Sequence, residues 1–229
     1  MNILKIFQHL DNIISYLISN SANEKKFLRN FLNKDNIKII DAGTNNGTYI
    51  NFLEGHFKIN KAYMFEPSRK AHAFLNKKFQ SKKQYYLIKN GLSKNLKIVD
   101  FFEYNIISQS SMYKKKNYYN KNLKINDRYK IKCISLDYFF KKNKLKEIID
   151  ICKIDCESED FNILKGSKTL LKNKKIKLIK IEIENNENFL NIMNFLNNYG
   201  YKLITITKKK FYKNKLLFMD AYFSHGKYL

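Results

Sequence analysis

The feature that most constrains this chain is a change of hydrophobic period at Ile37. From there, short apolar runs alternate with stretches of helical spacing, until the last two runs follow each other with only a turn between them. The pattern predicts strands at Ile37–Asp41, Ala62–Glu66, Gln84–Lys89, Ile148–Asp155, Ile176–Glu184, Tyr201–Thr207 and Leu216–Phe223. Helices are predicted near Gly47–Phe57, Ser68–Gln80, Leu136–Lys146, Glu159–Lys172 and Glu187–Tyr199. Strand–helix alternation means crossovers and an α/β fold, a mostly parallel sheet with helices on both faces. Runs such as IKII and IKLIKIEI suit strands buried on both sides. The closing runs, YKLITIT and LLFMDAYF, are separated by KKKFYKNK, too short for a crossover, and should pair antiparallel.

Before Ile37 the spacing is helical. Ile3, Ile6, Phe7, Leu10, Ile13, Ile14 and Leu17 form one apolar stripe, and Ser21 with Glu24 has the spacing of a capping box opening a second helix through Leu32. This reads as a helical extension over residues 1–34 ahead of a main domain over 35–229. The stripe is expected to pack on the domain; a homodimer through the N-terminal helices and a weak peripheral membrane contact are its other uses. Within the domain, residues 96–134 hold two strand-like pieces, KIVDFFEY and RYKIKCIS, around SQSSMYKKKNYYNKNLK, and read as a hairpin or lid over the strand ends. No secretory signal is visible, and no uncharged apolar run reaches the ~18 residues that span a bilayer. Three cysteines without a C-x-x-C pair fit a reducing cytoplasm rather than a disulfide framework.

Charge has to be weighed before it is given a function. The 229 residues carry 44 Lys+Arg and 20 Asp+Glu, a formal net charge of +24. Such a surplus commonly marks a nucleic-acid or anionic-membrane partner. Yet Arg29, Arg69 and Arg128 are the only arginines, and the chain is rich in Asn, Ile, Phe, Tyr and Lys, all residues with A/T-rich codons. Genome composition therefore accounts for much of the charge. Scarcity of Arg, which supplies bidentate base and phosphate contacts, argues against a surface that reads nucleic-acid sequence.

In an open parallel sheet, ligands bind beyond the carboxyl ends of the strands. After the first strand comes Asp41-Ala42-Gly43-Thr44-Asn45-Asn46-Gly47, where Gly43 lets backbone approach a ligand and Gly47 lets the next helix pack. Asp41 offers a carboxylate to an amine or hydroxyl. After the second strand, Glu66 stands where an acid can accept both hydroxyls of a ribose. Together they point to an adenosine-bearing cofactor. Asp155, Glu157, Glu159 and Asp160 put four acids within six residues where the fourth parallel strand should end. Alternation sets Lys153 and Asp155 on one side and Cys152, Ile154 and Cys156 on the other.

These segments resemble a known family. DAGTNNGTYI, MFEPSRKAHAFL, IKNGLS, ISLDYFF, then IDICKIDCESEDFNILKGSKTLL and IKLIKIEIE are similar, in order, to the motifs of FkbM-type methyltransferases over roughly residues 37–205. The K-I-D-x-E segment is the most specific part. The resemblance implies a class I, Rossmann-like methyltransferase fold closed by an antiparallel hairpin, and S-adenosyl-L-methionine as cofactor. It implies O-methyl transfer to a small-molecule or sugar-linked acceptor, in surface polysaccharide biosynthesis for example. By position, Asp41, Gly43, Asn45 and Gly47 would line the methionine end of the cofactor, Glu66 its ribose, and Asn90 and Leu92 its adenine. Lys153, Asp155 and Glu157 would sit at the reacting centre. The chain departs from the family at Thr44-Asn45-Asn46, usually Ala-Asn-Ile, and at Ser158, usually Gly.

A sulfonium methyl already has a good leaving group, so such an enzyme mainly aligns the acceptor and takes its proton. Asp155 is expected as the base or as the group that orients the acceptor, with Glu157 assisting and Lys153 positioning them. Tyr113, Tyr118 and Tyr119 among Lys114–Lys116 could stack a sugar, and Glu182 could reach the acceptor; a solvated lid face and local lysine pairing are the competing readings. Asp155, Glu157 and Glu182 could alternatively hold a divalent metal. Glu159 and Asp160 read as first-turn acids with no catalytic role. An RNA methyltransferase or other nucleic-acid-binding protein, and a non-catalytic partner protein that kept the fold, are the rival functions.

Overall fold

The computed structural model describes residues 23–114, 122–183, 186–212 and 215–229. Ser21, Tyr118, Tyr119, Glu184 and the stripe from Ile3 to Leu17 lie outside them. The chain runs through helix α1 (residues 23–32), β1 (Asn36–Ala42), α2 (Thr48–Glu54), β2 (Lys58–Phe65), α3 (Arg69–Phe79) and β3 (Tyr85–Ile88). Next come β4 (Gly91–Leu92), β5 (Lys97–Tyr104), β6 (Ile125–Ile134), α4 (Leu136–Lys142) and β7 (Ile149–Ile154). Last are α5 (Asp160–Lys165), α6 (Lys168–Lys172), β8 (Ile176–Ile183), α7 (Asn186–Asn197), β9 (Tyr201–Tyr212) and β10 (Lys215–His225).

Seven strands form one sheet in the order β3-β2-β1-β7-β8-β10-β9. The first five are parallel, and β10 runs antiparallel to both β8 and β9. Strand order reverses between β1 and β7, the switch point where α/β sheets bind ligands. One face carries Ile40, Ala42, Cys152, Ile154, Ile179, Ile181 and Phe223, packed with residues of α4 to α7. The other carries Ile37, Ile39, Ile151, Leu178 and Tyr222, packed with Leu28 and Leu32 of α1, Ile50 and Leu53 of α2 and Leu75 and Phe79 of α3. Each buried Ile or Leu contributes roughly 1.5–3 kcal/mol, so these two layers supply most of what holds the sheet between its helices.

Local chemistry places the helix starts. Ser68 Oγ accepts from the N–H of Ala71, and Ser135 Oγ from that of Tyr138, each covering an orphan donor. Three expectations need correction. The single helix expected over Glu159–Lys172 is broken into α5 and α6, because Gly166 backs onto β4: a Cβ there would lie 2.4 Å from the carbonyl oxygen of Ser93. Helix α2 ends at Glu54 rather than Phe57, and strand β2 begins at Lys58 rather than Ala62, since its first residues already pair with Asn36 and Ile37. The closing strands run on through most of KKKFYKNK, to a pair between Tyr212 and Lys215. Alternation is hard to read there because the lysines follow one another in sequence.

The insertion forms the expected hairpin, β5 with β6, and recruits β4 beside β6 to make a separate three-stranded sheet. Phe101, Ile131 and Cys133 give it a small core of its own. Glu103, only 1% exposed, ties it to the start of α3, accepting from Ser68 Oγ at 3.0 Å, Arg69 N at 3.1 Å and Tyr129 OH at 2.5 Å.

Candidate functional site

Register brings the predicted residues together at the carboxyl edge. Asp41 pairs with Lys153, Lys153 with Lys180, and Lys180 with Tyr222, one row across β1, β7, β8 and β10. One step further along, Glu182 pairs with Asp220, and Asp155 follows the end of β7. The face that is apolar below thus becomes charged at its upper edge.

The first turn is shaped to take a ligand. Gly43 and Gly47 both have φ +76°, and Asn45 has φ +52°. A Cβ on Gly43 would fall 1.9 Å from the Asp155 carbonyl oxygen, so only glycine lets the turn lie against the loop after β7. Glu66 accepts the N–H of Asn45 at 2.7 Å and of Ser68 at 2.8 Å. Burial outweighs those two donors and pushes its pKa up to about 7. Asp41 is fully buried, and neither carboxylate oxygen has a hydrogen-bond partner, although Lys153 Nζ stands 3.3 Å from one of them. Burial raises its pKa against the pull of Lys153. A buried carboxylate that has no hydrogen-bond partner and shares Lys153 with Asp155, beside an open glycine turn, fits a ligand that brings an ammonium group. With Glu66 placed for a ribose, the residues present fit S-adenosylmethionine.

Lys153 is the hub of the site. Its Nζ donates to the Gly43 carbonyl at 3.1 Å and lies 3.3 Å from both Asp41 and Asp155. Burial pulls its pKa down, but Asp155 and Asp41 overcome it and hold it well above the usual value, so Lys153 is a fixed cation. Asp155 shows the reverse balance: burial pushes it up, Lys153 pulls it further down, and it stays ionised. Glu157 and Ser158 follow with φ of +51° and +78°. Ser158 therefore holds the left-handed conformation for which the family uses glycine, a local strain in the loop that carries the acids.

The other expected residues make contacts of their own. Asn90 donates from Nδ2 to the Lys132 carbonyl at 3.0 Å, bracing β6, and the Leu92 side chain belongs to the main core. Tyr113 donates its hydroxyl to Glu159 Oε2 at 2.5 Å, leaving its half-exposed ring for any acceptor. Glu182 borders a cleft of about 190 Å³ with Ser158, Asp160, Phe161, Asn162, Lys165 and residues of α7. Among the described residues, no group of three or more His, Cys, Asp or Glu is arranged to hold a metal ion.

Two features escaped sequence reading. Glu159 is fully buried, bonded by Ser93 and Tyr113, by Lys97 at 2.9 Å and by Asn162 at 3.2 Å, so it clamps the small sheet to the acidic loop. Lys180 is 7% exposed, pairs with Glu24 at 2.7 Å and Asp220 at 3.1 Å, and lies 4.5 Å over the Tyr49 ring. The second lysine of the otherwise apolar run IKLIKI was the available signal for it.

Comparison with known proteins agrees with this geometry. The model of the methyltransferase FkbM domain matches residues 41–203. No curated protein sequence matches the chain. Among solved structures, the methyltransferase FkbM of Methylobacillus flagellatus KT aligns with a TM-score of 0.56 at 16% identity, over 82% of this chain and 44% of that one. The chain thus spans under half the length of that relative. An rRNA methylase from Streptococcus thermophilus aligns with a TM-score of 0.51 at 12% identity, over 88% of this chain and 93% of that one. A putative rRNA methylase from Clostridium thermocellum also gives 0.51, at 11% identity, over 89% and 93%. At such identities the likeness concerns the Rossmann-like fold; the family match extends over most of the chain. The protein belongs to the FkbM methyltransferase family, and its cofactor is S-adenosylmethionine.

Proposed function

We propose that this protein O-methylates a hydroxyl of a sugar or glycoconjugate precursor. The observation that carries the reading is the row Asp41–Lys153–Asp155, which joins the cofactor turn to a carboxylate on the acceptor side through one buried cation. When bound, S-adenosylmethionine supplies a methyl on a positively charged sulfur. Asp41, Gly43 and Gly47 would hold its amino-acid end and Glu66 its ribose. Asp155, with a side chain 37% exposed, would accept the acceptor's hydroxyl and orient it, while Lys153 fixes Asp155 and the turn in one geometry.

The cleft beside Glu182 supports a polyol. Phe161 and Ile183 offer apolar surface, Asn162 and Asn188 offer amides, and Lys165 adds a cation suited to a phosphorylated or nucleotide-linked sugar. Isotope-labelled S-adenosylmethionine, incubated with a panel of free and phosphorylated sugars, tests the reading. Transfer to a sugar hydroxyl is expected, with Asp155→Ala abolishing turnover and leaving cofactor affinity nearly unchanged. Transfer to RNA alone would replace this reading with nucleic-acid methylation. Equal reaction of free and phosphorylated sugars would remove the preference for an anionic acceptor.

Among the described residues no helix is long and apolar enough to cross a membrane. A cytoplasmic location and a homodimer through the N-terminal helices remain part of the proposal.

A further inference from the structure

Glu182 sits at the meeting of two charged regions. On β10 Asp220 is its register partner, Asp160 at the start of α5 lines the same cleft, and Asp155 and Glu157 in the loop after β7 add their negative charge. The neighbouring cations have contacts of their own, although Lys165 also lines the cleft. Lys153 lies between Asp41 and Asp155, Lys180 between Glu24 and Asp220, Lys165 over the Phe161 ring at 4.0 Å, and Lys208 of β9 over Phe218. Glu182 also borders the cleft assigned above to the acceptor. Burial first, then Asp155, Asp220, Glu157 and Asp160, push its pKa up to about 9, so at neutral pH its carboxyl holds a proton. A second feature leaves room for positive charge at the same edge: the buried Asp41 has no hydrogen-bond partner and shares the nearby Lys153 with Asp155.

Resting on the methyltransferase reading of this site, we propose that Glu182 is the group that takes the acceptor's hydroxyl proton, and that entry of the cationic cofactor beside Asp41 makes it ready by driving its own proton to solvent. The cycle balances. Glu182 releases a proton as the sulfonium charge arrives. The acceptor oxygen then forms a bond to the methyl carbon, the carbon–sulfur pair stays on sulfur, and the hydroxyl proton passes to the Glu182 carboxylate. The product cofactor, lacking the sulfonium charge, leaves Glu182 protonated, and the net release is one proton per turnover. Asp155 is ill suited to the task because Lys153 holds it as a weak base.

The test needs no acceptor. Calorimetric titrations at about pH 8, repeated in buffers of different ionisation enthalpy, count protons exchanged on binding. S-adenosylmethionine should release a sizeable fraction of one proton and S-adenosylhomocysteine almost none. Glu182→Gln should abolish the difference. Asp220→Asn, which removes one repelling charge and leaves the carboxyl in place, should reduce it. Equal release by both ligands, or release unchanged in Glu182→Gln, overturns the proposal. Binding of neither ligand would overturn the cofactor assignment, and the proposal with it, and is told apart by the absence of any heat of binding.

Discussion

The two faces of this sheet are built from the same strands, yet they end differently. On the α4–α7 side, Ile40 and Ala42, Cys152 and Ile154, and Ile179, Ile181 and Ile183 stay apolar to the last residue. On the α1–α3 side, Ile39 gives way to Asp41, Ile151 to Lys153 and Asp155, and Leu178 to Lys180 and Glu182. Because successive side chains alternate faces, one strand can be all core on one side and half site on the other. The apolar face fixes strand spacing. The mixed face uses that fixed spacing to hold like and unlike charges at set distances, which neither a loop nor a solvated surface could do.

If that division holds, substitutions on the two faces should fail in different ways. Lys180→Ala should have the largest effect on stability, about 3–5 kcal/mol, because it leaves Glu24 and Asp220 buried without their cation. Chemical denaturation of the variant measures it. Ile154→Ala, on the apolar face of the strand that ends at Asp155, should cost about 2–5 kcal/mol from lost burial and the cavity left behind. At a temperature where the variant is folded, its cofactor affinity should match the wild type; a parallel loss of both would erase the distinction between the faces.

Next in size is a pH effect at Glu66. If Glu66 holds the ribose as proposed, the ribose hydroxyls donate to its ionised carboxyl, so cofactor affinity should rise with pH and level off above about 7, and Glu66→Gln should flatten the profile. Stability moves the other way. A carboxyl whose folded pKa is raised favours the native state below its unfolded value and loses that contribution as pH rises through about 7. Opposite slopes for binding and melting temperature are therefore the expected signature. The smallest effect is at Ser158, where glycine relieves a left-handed backbone and should stabilise the fold by about 1 kcal/mol.

Much of this was legible in the sequence, for physical reasons that differ by region. Strands β1, β7 and β8 announce themselves because burial on both faces leaves few polar residues to blur the pattern. Asp41, Gly43, Glu66 and Asp155 could be placed at one edge because the last residues of parallel strands gather at their carboxyl ends, where α/β sheets bind ligands. What stayed hidden depends on contacts between distant segments. Glu159 looks like a solvated acid opening a helix until Ser93, Lys97 and Tyr113 are folded over it. Glu24 looks like half of a capping box, yet its carboxylate meets Lys180 across 156 positions of sequence. The break at Gly166 comes from a strand more than 70 residues earlier. No local periodicity carries such information.

The central claim is that the turn from Asp41 to Gly47 receives the cofactor only because Gly43 lets it lie against Asp155. Titrating S-adenosylhomocysteine into the wild type and into Gly43→Ala tests it most directly. Saturable binding to the wild type and none to a folded Gly43→Ala is the result this account predicts. A silent wild type, or a variant that binds as tightly as its parent, would contradict it.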